Sequence, residues 1–323
     1  MDPKVYLAPM SGITDLPLRL MSRKFGAEQC FFEMLHSNSI IYGHPKNGRI
    51  IKTLKKDRPI AAQLLGADTG AMFEAAQKLL TLVDISFLDI NSACPAKKVV
   101  KKGEGAALLQ NRARLGRIIK KLSSNLDLPV TVKLRTGYSM RDVAECVKTA
   151  KLCEDKGAST VFLHGRTRSQ GYSGDIDYES IRAVKKALKI PVFGSGNIFN
   201  PVMAEKMFVE TGCDGILVAR GALGNPWIFK DIRQYLKTGR LPRARNLSVK
   251  IKALKEHLDY INKYNDIKGS RKTGIMGRVA MWYLKGFPNA SKVRGMIFRQ
   301  RSYNELINLI NSVTTSKEFA ATR

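Results

Sequence analysis

VTVKLRTGYSMRDVAECVKTAKLCEDKGASTVFLH, residues 130–164, is the stretch from which the fold is read. Its first five residues form a short apolar run rich in β-branched side chains, interrupted only by Lys133, and read as a buried strand. A polar turn follows, with Ser139 placed to cap a helix. Val143, Ala144, Val147, Ala150 and Cys153 then recur at helical spacing, and Gly157 stops the pattern. A second apolar run at 160–164 completes a strand–helix–strand unit, whose two strands are parallel.

The same unit recurs along the chain. Strand-like runs lie at 5–8, 30–34, 60–64, 87–91, 191–194 and 215–219 as well, giving eight in all. Helical spacing fills the intervals, as at Met72, Ala75, Ala76, Leu79, Leu80 and Val83. Thr14, Asp68, Asn111 and Asn200 are further expected N-caps, Pro17 and Pro201 suit first turns, and Gly212 suits a helix end. Eight parallel strands alternating with helices predict a TIM (β/α)8 barrel, an α/β fold, over residues 1–240. The segment RLPRARNLS at 240–248 is basic and poor in apolar residues, and reads as a connector. Beyond it only helical spacing is found, so residues 241–323 are expected to form a small helical domain.

Composition narrows the function classes. The 323 residues include 55 Lys and Arg against 27 Asp and Glu, a formal charge of +28. In the tail the basic residues outnumber the acidic ones by roughly three to one, which points to a polyanionic partner, nucleic acid first. No run approaches the roughly 20 apolar residues of a membrane helix, and the first ten residues do not resemble a leader, so the expected location is cytoplasmic. Five widely spaced cysteines suit neither a zinc site nor a disulfide framework, and read as reduced thiols with no metal. A monomer in the free state is expected.

In such a barrel the chemistry sits at the C-terminal ends of the strands. The fourth run continues as FLDINSACPAKKVVKK, residues 87–102, so a buried strand ends in a loop presenting one thiol, Cys94, beside Lys97, Lys98, Lys101 and Lys102. Lys133 ends another buried strand, where an ammonium needs a partner or a ligand. His164 stands with Arg166 and Arg168 in HGRTRSQGY. The loops after the last two strands, GSGNIFN and ARGALGNPW, combine small residues with Arg220 and suit a phosphate. No GxGxxG follows a strand and no P-loop is present, so a nicotinamide donor is expected to visit rather than reside.

Taken in order, APMSGITD (8–15), AAQLLG (61–66), DINSACPAKKV (89–99), VKLRTG (132–137), HGRTRSQGYSG (164–174), GSGNI (194–198), ARGALGNPWIF (219–229) and GRVAMWYLKGFP (277–288) closely resemble the tRNA-dihydrouridine synthases, most of all the bacterial B-type subgroup. The resemblance implies an FMN-dependent oxidoreductase that reduces the C5–C6 bond of D-loop uridines in tRNA, with NADPH or NADH as transient reductant. It implies Cys94 as the proton donor to C5, a role a thiol of ordinary pKa near 8.5 can fill at neutral pH. Gln63 and Lys133 would meet the flavin ring, which Pro9, Met10 and Ser11 would wall. His164, Ser195, Gly196, Asn197, Ala219 and Arg220 would surround the ribityl phosphate. Asn91 would hold the uracil edge, and Lys97, Lys98, Arg166, Arg168 and the tail would take the tRNA backbone, the target base being flipped out. Ala93 stands where the family has Gly, Ser195-Gly196-Asn197 where it has Asn-Gly-Asp, and Ala219 where it has Gly. Two other classes share part of this pattern: a flavin barrel acting on a free pyrimidine, which has no use for a basic tail, and an RNA-binding protein without catalysis.

Overall fold

The computed structural model describes residues 3–286 and 290–315. Among the described residues, nine parallel strands run in the order β1 (Lys4–Leu7), β2 (Cys30–Phe31), β3 (Leu35–His36), β4 (Ile60–Leu65), β5 (Leu88–Asn91), β6 (Val130–Arg135), β7 (Thr160–His164), β8 (Val192–Ser195) and β9 (Gly215–Val218). Each pairs with its neighbour in sequence from β4 to β9, and β9 returns to β1 in the register Val5↔Ile216. A bridge from Tyr6 to Gln29 joins β1 to the start of β2, so the barrel closes.

The run expected at 30–34 is divided. Phe31 pairs with Ala61 and Leu35 with Leu64, so four steps on one chain oppose three on the other, and the extra residue is a bulge that puts Met34 at the rim. The other seven expected runs fold as single strands.

Strand alternation sorts the side chains into two cores. Val130, Val132, Leu134, Val161, Leu163, Ile216 and Val218 point outward and pack against the surrounding helices. Phe31, Ala61, Phe162, Phe193 and Leu217 fill the interior with Tyr6 and Phe87, in edge-on and tilted ring contacts. The interior plug is thus largely aromatic, whereas such barrels are more often filled by branched aliphatic side chains. Toward the C-terminal ends the inward positions include Gln63, Asp89, Asn91, Thr131, Lys133, His164 and Ser195.

The helices are α1 (Leu16–Lys24), α2 (Ser37–Ile41), α3 (Lys46–Ile50), α4 (Thr69–Leu82), α5 (Lys97–Val100), α6 (Arg112–Ser123), α7 (Val143–Asp155), α8 (Tyr178–Ala187), α9 (Pro201–Thr211), α10 (Ile228–Thr238), α11 (Leu247–Tyr264), α12 (Gly269–Tyr283), α13 (Ala290–Ile297) and α14 (Tyr303–Thr315). Asp68, Asn111 and Asn200 cap α4, α6 and α9 as expected. Two caps differ. Asp15 caps α1 through the Leu18 amide, while Thr14 accepts from Met10 N and donates to Ala8 O, holding the loop after β1. Asp142, not Ser139, caps α7, because the turn after β6 runs three residues further before the helix begins.

The connector leads into α11, capped by Asn246. Helices α11 to α14 bury their own apolar cluster, which includes Leu254, Leu258, Ile261, Tyr283 and Ile310. Val249, although it shares the helical spacing of Ile251, Leu254, Leu258 and Ile261, is 41% exposed. Met21 of α1 and Trp227 belong to the same cluster, and Trp227 meets Phe25 and Tyr283 edge-on or tilted. Gly224, at φ +66°, lies where any Cβ would stand 2.2 Å from the Trp282 carbonyl oxygen, so the loop after β9 touches α12 backbone to backbone. Phe287 and Pro288 of the quoted tail motif and residues 316–323 lie outside the described residues.

Candidate active site

A cavity of about 480 Å³ opens at the C-terminal ends of the strands. Cys94 lines it together with Pro9, Met10, Ser11, Gln63, Lys133, His164, Ser195, Gly196, Asn197, Ala219 and Arg220, and with Asn91 and Lys98. Met34, Ile13, Tyr172 and Phe199 line it as well; Ile13, Tyr172 and Phe199 sit in loops whose path no periodicity fixes, and Met34 reaches the cavity through the bulge that divides the run at 30–34.

The thiol loop is held from three sides. Asn91 Oδ1 accepts from the amides of Ala93 (3.1 Å) and Cys94 (2.9 Å). Arg135 Nε donates to the Ala93 carbonyl at 2.7 Å, and its Nη1 reaches Thr167 O and Gly171 O, tying this loop to the one after β7. Beneath them, Ala106 N donates to Cys94 O, and Gly105 at φ +58° leaves no room for a Cβ, which would stand 2.9 Å from that oxygen. Ala93 itself has no left-handed backbone, so the loop turns without the family's glycine. Cys94 is partly exposed, and the other four cysteines are buried and free.

Asn91 is therefore committed to the protein at both ends of its amide, Nδ2 donating to Gln63 Oε1 at 2.7 Å. It orders the thiol loop and also lines the cavity. Gln63 Nε2 in turn donates to the buried Asp89, which also accepts from Thr131.

Across the cavity Lys133 Nζ donates to Ser195 Oγ at 3.4 Å, and Ser195 Oγ lies 3.2 Å from His164 Nδ1. An ammonium can only donate, so the Ser195 hydroxyl accepts from Lys133 and its own proton is free to be donated to Nδ1, the arrangement that leaves the imidazole proton on Nε2. That Nε2 is buried and has no partner. Burial, followed by Lys133, Arg135, Arg166 and Arg220, holds the imidazole well below its ordinary pKa, so it is neutral. A neutral donor inside a ring of cations is a place for an anion. Gly196 and Asn197 adopt φ +130° and +50°, and Asn197 is the one non-glycine residue with positive φ among the described residues. A Cβ on Gly221 would stand 2.0 Å from the Ile198 carbonyl oxygen, so the last two loops meet backbone to backbone. Arg220 lies over the rings of Tyr172 (5.5 Å) and Phe199 (5.3 Å), with no carboxylate paired to it among the described residues.

Three expected surface contacts fall outside the cavity. Lys97 is exposed beside it. Arg168 is half-buried over Tyr138, at 5.3 Å. Arg166 is 1% exposed, with Nε and Nη2 on the Gly174 carbonyl and Nη1 unpartnered. A side chain so enclosed cannot take an RNA backbone from the surface, so that expectation is corrected.

The sequence matches the family model described as dihydrouridine synthase over residues 6–319. It is 38% identical to tRNA-dihydrouridine synthase B of Pseudomonas aeruginosa over 297 residues, covering 92% of this chain and 88% of that protein. It is 34% identical to a probable tRNA-dihydrouridine synthase 1 of Synechocystis sp., covering 97% and 87%. Among solved structures, a morphinone reductase mutant in complex with tetrahydroNAD superposes with a TM-score of 0.52 at 12% identity, over 76% of this chain and 90% of that one, a likeness of fold alone. With the fold, the thiol loop and the family match in agreement, the chain belongs to the dihydrouridine synthase family.

Proposed function

We propose that this oxidoreductase is an FMN-dependent tRNA-dihydrouridine synthase that reduces the C5–C6 bond of D-loop uridines, with NADPH or NADH as electron source. The observation that carries the reading is one cavity joining a partly exposed thiol to an unpaired cationic wall.

The residues present fit the cofactor. The buried, unpartnered His164 Nε2 and the uncompensated Arg220 suit the ribityl phosphate, together with Ser195, Gly196, Asn197 and Ala219, and Arg166 Nη1 adds to that field from behind. Lys133 suits the pyrimidine end of the ring, where reduction adds negative charge, and Gln63 retains hydrogen-bonding capacity toward it. Pro9, Met10 and Ser11 wall the ring. When bound, FMN supplies hydride to C6 of the uracil, having been reduced by the nicotinamide.

The protein's own part is proton delivery and positioning. Addition at C6 leaves an enolate, and the Cys94 thiol supplies the proton to C5, breaking S–H and forming C–H. The loop contacts from Asn91, Arg135 and Gly105 keep that sulfur at the cavity wall. Residues 1–240 act as the catalytic domain. Residues 241–323, with Lys97, Lys98 and Arg168, serve to grip tRNA while the base is flipped inward. Free thiols and the substrate class favour a cytoplasmic location, and we take the free enzyme to be monomeric. No helix among the described residues is long and apolar enough to cross a membrane.

Replacing Cys94 by Ala tests the reading. Flavin absorbance and tRNA affinity are expected to persist, while dihydrouridine formation, read by mass spectrometry of tRNA, falls at least ~100-fold. Unchanged turnover would remove Cys94 as the acid. Mapping dihydrouridine in tRNA from cells lacking the protein identifies the uridines served.

A further inference from the structure

We infer that Asp89 is a positioning residue for the reaction, fixing the Cys94 backbone by imposing one orientation on the two side-chain amides that lie between them. The inference rests on the reading of Cys94 as the proton donor.

Gln63, Asp89 and Thr131 are register partners on β4, β5 and β6, so their inward side chains form one layer beneath the cavity. Asp89 is fully buried and does not line the cavity, so it acts only through its neighbours. An ionised carboxylate is an acceptor alone. Asp89 accepts from Thr131 Oγ1 and from Gln63 Nε2, each at 2.7 Å. The donor end of the Gln63 amide is thereby taken, and its Oε1 must face Asn91. Asn91 answers with Nδ2 at 2.7 Å, which leaves its Oδ1 to receive the amides of Ala93 and Cys94.

Reversal of the Gln63 amide would set its Oε1 against the Asp89 carboxylate and its NH2 against Asn91 Nδ2, and reversal of Asn91 would turn its NH2 toward two backbone N–H donors. A buried donor left without an acceptor is costly, so the chain of bonds has one favoured polarity. That polarity is fixed at both ends, by backbone N–H groups that can only donate and by a carboxylate that can only accept, and Asp89 is the end a side-chain substitution can change. Burial pushes its carboxyl up to about 6, while Gln63, Thr131 and Lys133 oppose the shift, so the acceptor-only form prevails at neutral pH.

The test uses the holoenzyme. Asp89→Asn replaces the acceptor by a group that can donate, freeing both amides to turn. Hydrogen–deuterium exchange of the 92–96 segment is expected to rise about tenfold, the worth of one hydrogen bond. Reoxidation of the reduced flavin by tRNA should slow by a similar factor, while flavin reduction by the nicotinamide holds. Adding Asn91→Asp restores an acceptor beside the loop with the chain reversed: the new amide at position 89 donates to Gln63 Oε1, and Gln63 Nε2 donates to the new carboxylate at position 91. Protection and reoxidation should both return. Unchanged protection in Asp89→Asn, or no recovery in the double variant, overturns the inference. If the single variant does not fold, neutron diffraction from crystals grown of the wild-type protein reads the polarity directly. Deuterium on the Asn91 atom facing Gln63, and none on the atom facing Cys94, supports it, and the opposite arrangement overturns it. Loss of turnover in Cys94→Ala with an indifferent Asp89→Asn removes this inference alone, whereas indifferent Cys94→Ala removes the acid and leaves the loop polarity to be read by exchange.

Discussion

Lys133 shows how much one inward position can decide. It faces the cavity from the barrel interior, and burial lowers its pKa to about 8 from 10.5, with Asp89 opposing the shift. Between those two values the unfolded chain holds a proton that the folded one has released, so stability rises with pH across that window, and the buried ammonium is a cost below it. An anionic ligand reverses the preference, because it binds the ammonium form. The Kd for free FMN, followed by flavin fluorescence, is therefore expected to weaken above pH 8, by at most about tenfold per unit. Lys133→Met should bind more weakly and without that step; an identical pH profile in the variant would show that another group recognises the anion. Lys133 was legible in the sequence because a lysine in a buried strand demands a reason. Asp89, two residues before Asn91, was not: a two-residue period says which positions share a face, and leaves open whether that face meets solvent or the barrel interior. Arg135 is legible as a strand-end residue at the barrel mouth, but its role is not, since its value lies in carbonyls contributed by two separate loops.

Among the elements, the segment from β5 to α6 carries the largest consequences. Its sequence reads as a strand, a thiol and a lysine-rich loop, and that much is what forms. What the sequence hid is the turn at Gly105, where φ is +58° and a Cβ would meet Val99 Cγ1 at 2.8 Å and Cys94 O at 2.9 Å. Gly105→Ala should cost about 1–3 kcal/mol in backbone strain and contact. The displacement falls on Cys94, so dihydrouridine formation should drop by more than the thermal midpoint suggests, about tenfold or beyond, with flavin retained. A variant that loses stability and keeps its turnover would show that the thiol does not depend on this turn. Elsewhere the element order was legible because apolar periodicity survives in every strand and helix. The boundaries that slipped did so for local reasons, a one-residue bulge opposite β4 and a turn that delays α7 to its Asp142 cap.

At the scale of the molecule, the excess of positive charge meets an interface that the sequence did not reveal. The tail is not a free appendage, because Met21, Phe25 and Trp227 of the barrel side complete its apolar cluster, and Lys24 pairs with Glu256 at 2.6 Å. Removing everything after residue 240 would uncover those side chains, and lost activity would then report damage to the barrel as well as lost grip on RNA. Charge reversal separates the two. Arg271, Arg294 and Arg299 are exposed on the tail helices and the turn after α13, away from its buried stripe. Reversing all three to Glu should raise KM for tRNA and flatten the dependence of log Kd on log salt by about 0.7–0.9 for each phosphate contact removed. Flavin reduction by the nicotinamide, which needs only the barrel, should keep its rate and serve as the internal control. If the salt slope is unmoved, the RNA is held elsewhere on the molecule, and the exposed lysines beside Cys94 become the surface to reverse next.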